Sequence, residues 1–248
     1  MPKNCRSDWE TFAKLDPKWA VLTQPDKKHN RWDDGEFFAT GIREIDSFLE
    51  KLKQLQIDIS FGSALDFGCG LGRLSSALAQ HFKHVTGIDI SAEMINRARK
   101  LHRENPHLSF IHNPASDLAC LESDKFDLVY SFITLQHVPR QDTIKNYLCE
   151  FLRVLKPGGI LYFHLPSVPD YSPLRSALLR LRGFVFKLST LLGVAPSFCF
   201  SRLRLAPYMH MTHIPSSQIK TLIETQATLV HLENDRQTNT AYLFRKNP

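Results

Sequence analysis

The sequence predicts an α/β fold in which a doubly wound, seven-stranded, mostly parallel sheet carries helices on both faces and ends in a C-terminal antiparallel hairpin strand. Two observations support this fold class. Short apolar runs alternate with amphipathic helical patterns over residues 61–166. Near the end of the chain, two strand-like runs are separated by a polar turn. Alternation of strand and helix is typical of parallel strands joined by right-handed crossovers.

Residues 1–60 come before this alternation and are predicted to be helical. They contain all three tryptophans and many charged residues. Apolar residues at steps of three and four predict one long helix over 34–56. On the pattern alone, this segment is a helix packed against an edge of the sheet.

The core, residues 61–166, is expected to hold five parallel strands. Helices are predicted between them over 74–82 and 92–102, with Ser91 as the N-cap of the second and Glu93 in its first turn. A third helix buries a stripe that runs from Ile144 to Leu155, and the glycines after Pro157 end it. The predicted strands are 64–67, 84–88, 108–112, 127–132 and 160–165.

Residues 167–214 are an insertion that the core does not require. Following the fifth strand, they should lie at the carboxyl edge of the sheet, and their leucines and phenylalanines exceed what a solvated loop carries. Three alternatives stay open: a lid over an apolar acceptor, an interfacial helix that touches a membrane, or a helical hairpin packed on the core. Residues 215–248 predict a helix over 216–224 and a closing hairpin of strands 228–233 and 240–245.

Composition indicates one domain with additions. The 248 residues include 43% hydrophobic residues, enough for one substantial core. A net charge of +6, from 31 basic and 25 acidic residues, is a mild excess that favours solvated surface over a nucleic-acid site. Five scattered cysteines without a C-x-x-C pair argue against a disulfide framework or a zinc site and indicate a reducing, cytoplasmic location. The chain has no apolar run of the ~18 residues that a membrane span needs.

A glycine-rich turn after the first predicted strand organises the chain. Glycines stand at every second position from Gly68 to Gly72, after an apolar run that contains Asp66. Such glycines permit positive φ and let a ligand lie against bare backbone. Arg73 stands where a dinucleotide fingerprint would have its third glycine, so the motif differs from that fingerprint. Ligands of open α/β sheets bind at this edge, which predicts a site around the turn.

Four segments in order resemble the motifs of class I S-adenosylmethionine (SAM) dependent methyltransferases. The segments are 65–73, 87–91, 126–131 and 152–159. The resemblance covers roughly residues 32–163 and implies a Rossmann-like sheet, SAM as the cofactor and methyl transfer as the activity. Residues 16–41 are similar to an N-terminal extension that caps the cofactor in some members of the family, an alternative to simple packing on the sheet edge.

The resemblance implies a set of cofactor-binding residues. Asp89, at the end of the second strand, would accept hydrogen bonds from the ribose hydroxyls; a competing role, N-cap of the next helix, is already filled by Ser91. Asp66 would lie near the methionine portion or, alternatively, stabilise the turn. Because Pro114 stands where the family often carries an acid, Asn113 or the backbone of 116–117 would serve adenine. The full set is Asp66, Gly68, Cys69, Gly70, Gly72, Asp89, Ile90, Asn113 and Ser131.

His137, just past the fourth strand, is the candidate catalytic residue. A hydroxyl acceptor needs a general base near this edge, although a histidine here can also pack beside the cofactor. His164 is a weaker candidate and more typical of a core histidine. His210 and His213 have metal-like spacing without a third ligand, so no metal site is expected.

The function predicted from the sequence is SAM-dependent methylation of a small or medium-sized metabolite. One alternative is an RNA or protein methyltransferase, which only the basic charge favours. The other is a SAM-binding protein without catalysis, which would lack an open acceptor cavity. A small-molecule acceptor is expected, nucleic acid is not, and the insertion could provide peripheral membrane contact.

Overall fold

The computed structural model describes residues 3–169, 172–234 and 239–248, and its strands form one seven-stranded sheet. The strands are β1 (Ser63–Phe67), β2 (His84–Asp89), β3 (Leu108–His112), β4 (Phe126–Ser131), β5 (Leu155–Pro166), β6 (Ala227–Asn234) and β7 (Asn239–Lys246). Their order in the sheet is β3-β2-β1-β4-β5-β7-β6. Strands β1 to β5 are parallel, whereas β7 runs antiparallel to both β5 and β6. The predicted fold class, with its C-terminal antiparallel hairpin strand, is confirmed.

Helices cover both faces of the sheet. The helices are α1 (Lys3–Leu15), α2 (Pro17–Val21), α3 (Asp34–Gln54), α4 (Arg73–Leu78), α5 (Ala92–Leu101), α6 (Gln141–Val154), α7 (Pro173–Leu191), α8 (Pro196–Ser201) and α9 (Ser216–Ile223), with single 3₁₀ turns at Pro25–Lys27 and Leu135–His137. Leu65 and Val129 pack in one core cluster with α6 and α9, while Leu128 and Tyr130 pack in another with α3 and α4. Burial on both faces explains why these strands read as continuous apolar runs in the sequence.

Two predicted boundaries in the core were wrong. Helix α4 ends at Leu78, and the chain leaves it through turns that return the Phe82 ring to the core. Strand β5 begins at Leu155, before the Pro-Gly-Gly sequence, because Leu155 adopts extended dihedrals and pairs with Phe126. The register then shifts, and Gly158 has a φ of 76° inside the irregular segment. A strand that contains such a bulge has no regular period to reveal its start.

The ends of the chain follow the predicted pattern closely. Helix α3 and the C-terminal strands lie within a few residues of the predicted positions. The predicted polar turn between β6 and β7 falls at 235–238, outside the described residues. Among the residues that are described, no helix is long and apolar enough to cross a membrane.

Candidate functional site

The glycine turn lies between β1 and α4, at the carboxyl edge of the sheet. The amides of Gly68 and Cys69 both donate to the Ile88 carbonyl, at 2.8 and 3.1 Å, which draws the turn against β2. Gly68 and Gly70 have φ angles of 78° and 53°. A Cβ at Gly68 would lie 2.2 Å from the Thr134 side chain, so no other residue fits this position without displacing its neighbour. The turn therefore has the positive φ angles that the sequence predicted, whereas its contact with a ligand stays a prediction.

Asp89 is held at the end of β2 by two backbone amides. Its Oδ2 accepts from Gly70 N at 2.9 Å, and its Oδ1 accepts from Ser91 N at 2.8 Å. Ser91 is the N-cap of α5, as predicted, since its hydroxyl oxygen accepts from Met94 N at 3.2 Å. Burial raises the pKa of the Asp89 carboxyl. The carboxylate is thus oriented before any ligand arrives, and each oxygen keeps a lone pair for one.

Asp66 and Arg73 form a buried polar group beneath the turn. Asp66 accepts a 2.6 Å hydrogen bond from the Ser75 hydroxyl. Burial raises the pKa of Asp66 to about 6, against the opposing effects of Ser75 and the Arg73 charge. The Arg73 guanidinium donates to Thr40 Oγ1 at 3.2 Å, but its buried Nε–H has no partner among the described residues. An unpartnered guanidinium N–H suits a carboxylate ligand.

A cavity, here called the first cavity, opens over this group. It is lined by the glycine turn, the ends of β1 and β2, the segment after β4, and residues from α1 and α2. The predicted site residues that line it are Asp66, Gly68, Cys69, Gly70, Asp89, Ile90, Asn113 and His137. Gly72 does not line it, because it begins α4 against His102, and neither does Ser131, whose hydroxyl donates to Phe67 O at 3.3 Å. The roles of these two residues stay predictions.

The sequence analysis missed several residues of the first cavity. Trp9 and Val21 come from α1 and α2, and Thr134 and Tyr147 follow β4. Val21 falls within residues 16–41, which resemble a cofactor-capping extension, but it was not singled out, and nothing in the local pattern assigns Trp9 to the site. The sequence analysis used Arg73 only to distinguish the motif from a dinucleotide fingerprint. A lone charge between an apolar strand and an apolar helix could also have indicated a residue of the site.

Asn113 lines the first cavity, but both ends of its amide are engaged locally. Its Nδ2 donates to Asp117 O at 2.7 Å, and its Oδ1 accepts from Ala115 N at 3.1 Å. These bonds hold the loop after β3 in a defined conformation. Ser116 and Asp117, the predicted alternatives for adenine, do not line the cavity.

Helix α1 is held beside the first cavity by contacts of Glu10 and Asp8. The Glu10 carboxylate accepts from Ser91 Oγ at 3.1 Å and from Ala92 N at 2.6 Å, at the positive N-terminal end of α5. At the other side, Asp8 is paired with Lys187 of α7. Between these contacts, Trp9 reaches the first cavity. Helix α3, in contrast, packs on α4 and the sheet. Capping of a cofactor by residues 16–41 stays a prediction.

His137 lies in the 3₁₀ turn after β4. Its Nδ1 donates to the His210 carbonyl at 2.8 Å, an assignment that follows from the acceptor being a carbonyl, so Nε2 carries the lone pair. The ring lies 5.3 Å from the Trp9 ring in an edge contact. Burial lowers the pKa of His137 to about 4, which leaves the imidazole neutral at pH 7. His164 is bonded to the Tyr162 hydroxyl at 2.8 Å and lines neither this cavity nor the next.

A second cavity adjoins the first. Four residues line both: Ala20, Val21, Ile133 and His137. The insertion contributes its other wall, and the remaining lining residues are Phe12, Trp19, Leu22, Thr23, Lys28 and Gln136. The insertion residues are Leu179, Arg182, Arg204, Ala206, Pro207, Tyr208, Met209 and Met211. Within the described ranges, no group of three or more His, Cys, Asp or Glu side chains could hold a metal ion.

Comparison with known proteins shows which family the core of the chain resembles. Residues 65–163 match the family model described as a methyltransferase domain. The ubiquinone biosynthesis O-methyltransferase of Coxiella burnetii is 40% identical over 116 residues, which cover 46% of this chain and 47% of the relative. The enzyme of the same name from Xanthomonas oryzae is 30% identical over 135 residues, with coverages of 54% and 55%. The chain spans about half the length of the curated relatives it matches.

Among solved structures, the N-methyltransferase NodS of Bradyrhizobium japonicum, in complex with S-adenosyl-L-homocysteine, superimposes with a TM-score of 0.60 at 18% identity. The match covers 99% of this chain and all of NodS. At that identity the likeness shows the fold. Together with the family match, it confirms the predicted resemblance to class I SAM-dependent methyltransferases.

Proposed function

We propose that this chain, whose core matches a methyltransferase domain, transfers a methyl group from SAM to a small or medium-sized acceptor. The observation that carries the proposal is the junction of the two cavities. The first holds the glycine turn and Asp89, and the second meets it at His137 and Ile133. A cofactor in one and an acceptor in the other would have their reacting groups at this junction.

The residues of the first cavity suit SAM. Asp89 would accept hydrogen bonds from the ribose hydroxyls, and the backbone of Gly68 and Gly70 lines the same cavity. The unpartnered Arg73 Nε–H suits the amino acid carboxylate. When bound, SAM supplies a methyl group already activated by positive sulfur. The chain then needs chiefly to align the acceptor and exclude water, a role that fits the position of Trp9 and Val21 over the turn.

His137 is the residue we assign to proton removal from a hydroxyl acceptor. It is neutral, lines both cavities and has an Nε2 lone pair. A pKa of about 4 makes it a weak base, so its contribution should lie at the low end of the ~10²–10⁴-fold range typical of general bases. The names of the Coxiella and Xanthomonas relatives favour oxygen as the methylated atom.

The two alternatives have less support. A SAM-binding protein without catalysis has no need of a further cavity beside the first, whereas the second cavity adjoins it here. An RNA or protein methyltransferase would need an extended basic face. The second cavity instead has a largely apolar wall, with Leu179, Ala206 and Met209, which suits a small acceptor with an apolar part.

Membrane contact through the insertion is a further part of the proposal. Several apolar side chains of α7 point to solvent: Leu174 and Leu191 are more than 80% exposed, and Phe184 is 62% exposed. Basic residues such as Arg175 and Arg180 interrupt the same helix, a composition typical of helices that lie on anionic membranes. We also propose a cytoplasmic location, which agrees with five cysteines that are all free thiols.

Calorimetry with SAM and with NAD tests the cofactor, and methyl-labelled SAM with a library of phenols, amines and carboxylic acids tests the reaction. We expect micromolar binding of SAM, no tight binding of NAD, and label transfer to at least one acceptor. Tight NAD binding without SAM binding would overturn the proposal. SAM binding with no transfer to any compound of the library would favour the non-catalytic alternative.

A further inference from the structure

Three basic side chains meet at one end of the second cavity: Lys28, Arg182 of α7, and Arg204 after α8. Arg182 Nη2 donates to the Arg204 carbonyl at 2.6 Å, which fixes the two residues relative to each other. The Lys28 ammonium lies over the ring of Trp19 at 4.9 Å and over that of Phe200 at 4.5 Å. The three positions come from distant parts of the sequence, so only folding brings their charges together.

No carboxylate of the described residues forms an ion pair with this group. Within residues 3–169, 172–234 and 239–248, none of the three side chains is in an ion pair, and no acidic residue lines the second cavity. The pKa of Lys28 is lowered, first by burial and then by the charge of Arg182; Asp16 opposes this effect, and Arg204 adds a smaller lowering effect. Lys28 is half-buried and the two arginines are exposed, and like charges held close together favour an anion that can neutralise them.

The rest of the second cavity is apolar. Leu179, Ala206, Pro207 and Met209 form its wall from the insertion, and Val21 and Ile133 lead to the junction with the first cavity. The cavity therefore has a cationic end, an apolar body and a reacting end beside His137. Such a division matches a molecule that has an anionic group at one end and an apolar body next to it.

We propose that the acceptor, if the methyl transfer proposed above is correct, is an amphipathic anion. Its carboxylate or phosphate lies against Lys28, Arg182 and Arg204. Its apolar body lies along Leu179 and Met209, and the group to be methylated faces His137. Guanidinium groups bind both carboxylate and phosphate through paired N–H donors, so the shared chemistry is that of an oxyanion.

Calorimetry with three probes of equal chain length tests the inference: octanoate, octyl phosphate and octan-1-ol, each kept below its micelle concentration. We expect at least one of the anions to bind at least tenfold more tightly than octan-1-ol, and the better anion identifies the head group. The Arg182→Gln/Arg204→Gln variant should lose at least tenfold of that affinity while octan-1-ol binding stays unchanged. Lys28→Met, which keeps the side-chain packing, should act in the same direction.

The matched control is Arg175→Gln/Arg180→Gln. It also removes two positive charges, both from α7, at positions that do not line the second cavity. It should bind the anions like the wild type. Equal binding of anions and alcohol, or equal losses in both double variants, would overturn the inference. The inference would also be overturned if the Arg182→Gln/Arg204→Gln variant bound octanoate normally but no longer bound phosphatidylglycerol vesicles. The cluster would then be a membrane-binding surface.

SAM affinity and thermal stability are measured for every variant. If the wild type binds SAM but neither anion, the inference fails while the proposed function stands. If it binds the anions but not SAM, the proposed function fails, and the inference with it as a statement about an acceptor. Unchanged melting temperatures show that lost anion binding does not come from unfolding.

Discussion

Lys187 in α7 forms an ion pair with Asp8 in α1, with 3.1 Å between Nζ and Oδ1, although the two residues are 179 positions apart. Burial raises the pKa of Asp8, and the Lys187 charge opposes that effect. The pair ties the insertion to the N-terminal helix that carries Trp9 over the first cavity. The two segments outside the matched core are therefore mechanically connected across the site.

The first prediction concerns this connection. Lys187→Met should weaken SAM binding by up to ~5-fold, because a partly exposed ion pair contributes ~0.2–1 kcal/mol and its loss leaves α1 less firmly held. Asp8→Asn in the same background should recover part of the loss, since no carboxylate is then left without its partner. Calorimetry measures both, with Lys53→Met on the exposed side of α3 as the control. Equal SAM affinity in Lys187→Met and wild type would contradict the prediction.

The second prediction concerns Asp89. Asp89→Ala should raise the Kd for SAM by about 10–100-fold, because hydrogen bonds to a charged acceptor contribute ~1.5–3 kcal/mol. The Gly70 amide also loses its acceptor, so the melting temperature of the unliganded variant should fall. Asp26→Ala, at an exposed position that lines neither cavity, makes the same change in charge and should leave SAM binding intact. Normal SAM binding by Asp89→Ala would contradict the assignment of Asp89 to the ribose hydroxyls.

The third prediction concerns His137. His137→Ala should lower kcat by about 10²-fold on a hydroxyl acceptor, with SAM affinity changed by less than about twofold. Since its pKa is about 4, the wild-type rate should stay level above pH 5 and fall as the pH drops through 4. His213→Ala, outside both cavities, is the control. Undiminished turnover in the alanine variant would mean that the histidine only packs beside the cofactor.

The fourth prediction concerns stability between pH 4 and 6. Asp66, with a folded pKa of about 6, keeps a proton that the unfolded chain has released, so its contribution to the free energy of unfolding falls as pH rises. His137, with a folded pKa of about 4, lacks a proton that the unfolded chain holds, so its contribution rises. Each effect amounts to at most ~3 kcal/mol. The two contributions to the free energy of unfolding therefore change in opposite directions between pH 4 and 6.

Urea denaturation at each pH separates these two effects. Relative to wild type, Asp66→Asn should become more stable as pH rises from 4 to 6, and His137→Ala should become less stable. The two differences should therefore change with opposite sign. Parallel curves for the three proteins would show that neither group titrates as described.

The fifth prediction concerns the apolar residues of α7, some of which are exposed and others buried. Leu178 and Phe184 are 56% and 62% exposed, whereas Phe186 is 4% exposed. Leu178→Ser/Phe184→Ser should keep the melting temperature and lose binding to phosphatidylglycerol vesicles. Phe186→Ser should instead lower the free energy of unfolding by ~3 kcal/mol or more, as for other buried aromatic truncations. Unfolding of the first variant, or unchanged vesicle binding, would contradict the proposed membrane contact.

The sequence by itself determined the core of this protein. Apolar periodicity located the five parallel strands, the glycines located the turn, and Asp89 and Ser91 were placed at the end of β2 and the start of α5. These features depend on local forces: backbone sterics, capping bonds and the burial of a strand on both faces. Each can be read within a window of a few residues. The start of β5 could not, because a bulge interrupts its pairing.

Only the tertiary structure decided what covers the site. Helices α1 and α7 both carry amphipathic or mixed patterns that do not say which partner each face meets. Packing brought Trp9, Lys28 and Arg182 to the edge of a sheet that begins at residue 63 and joined Asp8 to Lys187. It also buried Phe186 and exposed Phe184, two residues that no periodicity distinguished. Contacts between segments so distant along the chain depend on the shape of the folded core, which no short stretch of sequence contains.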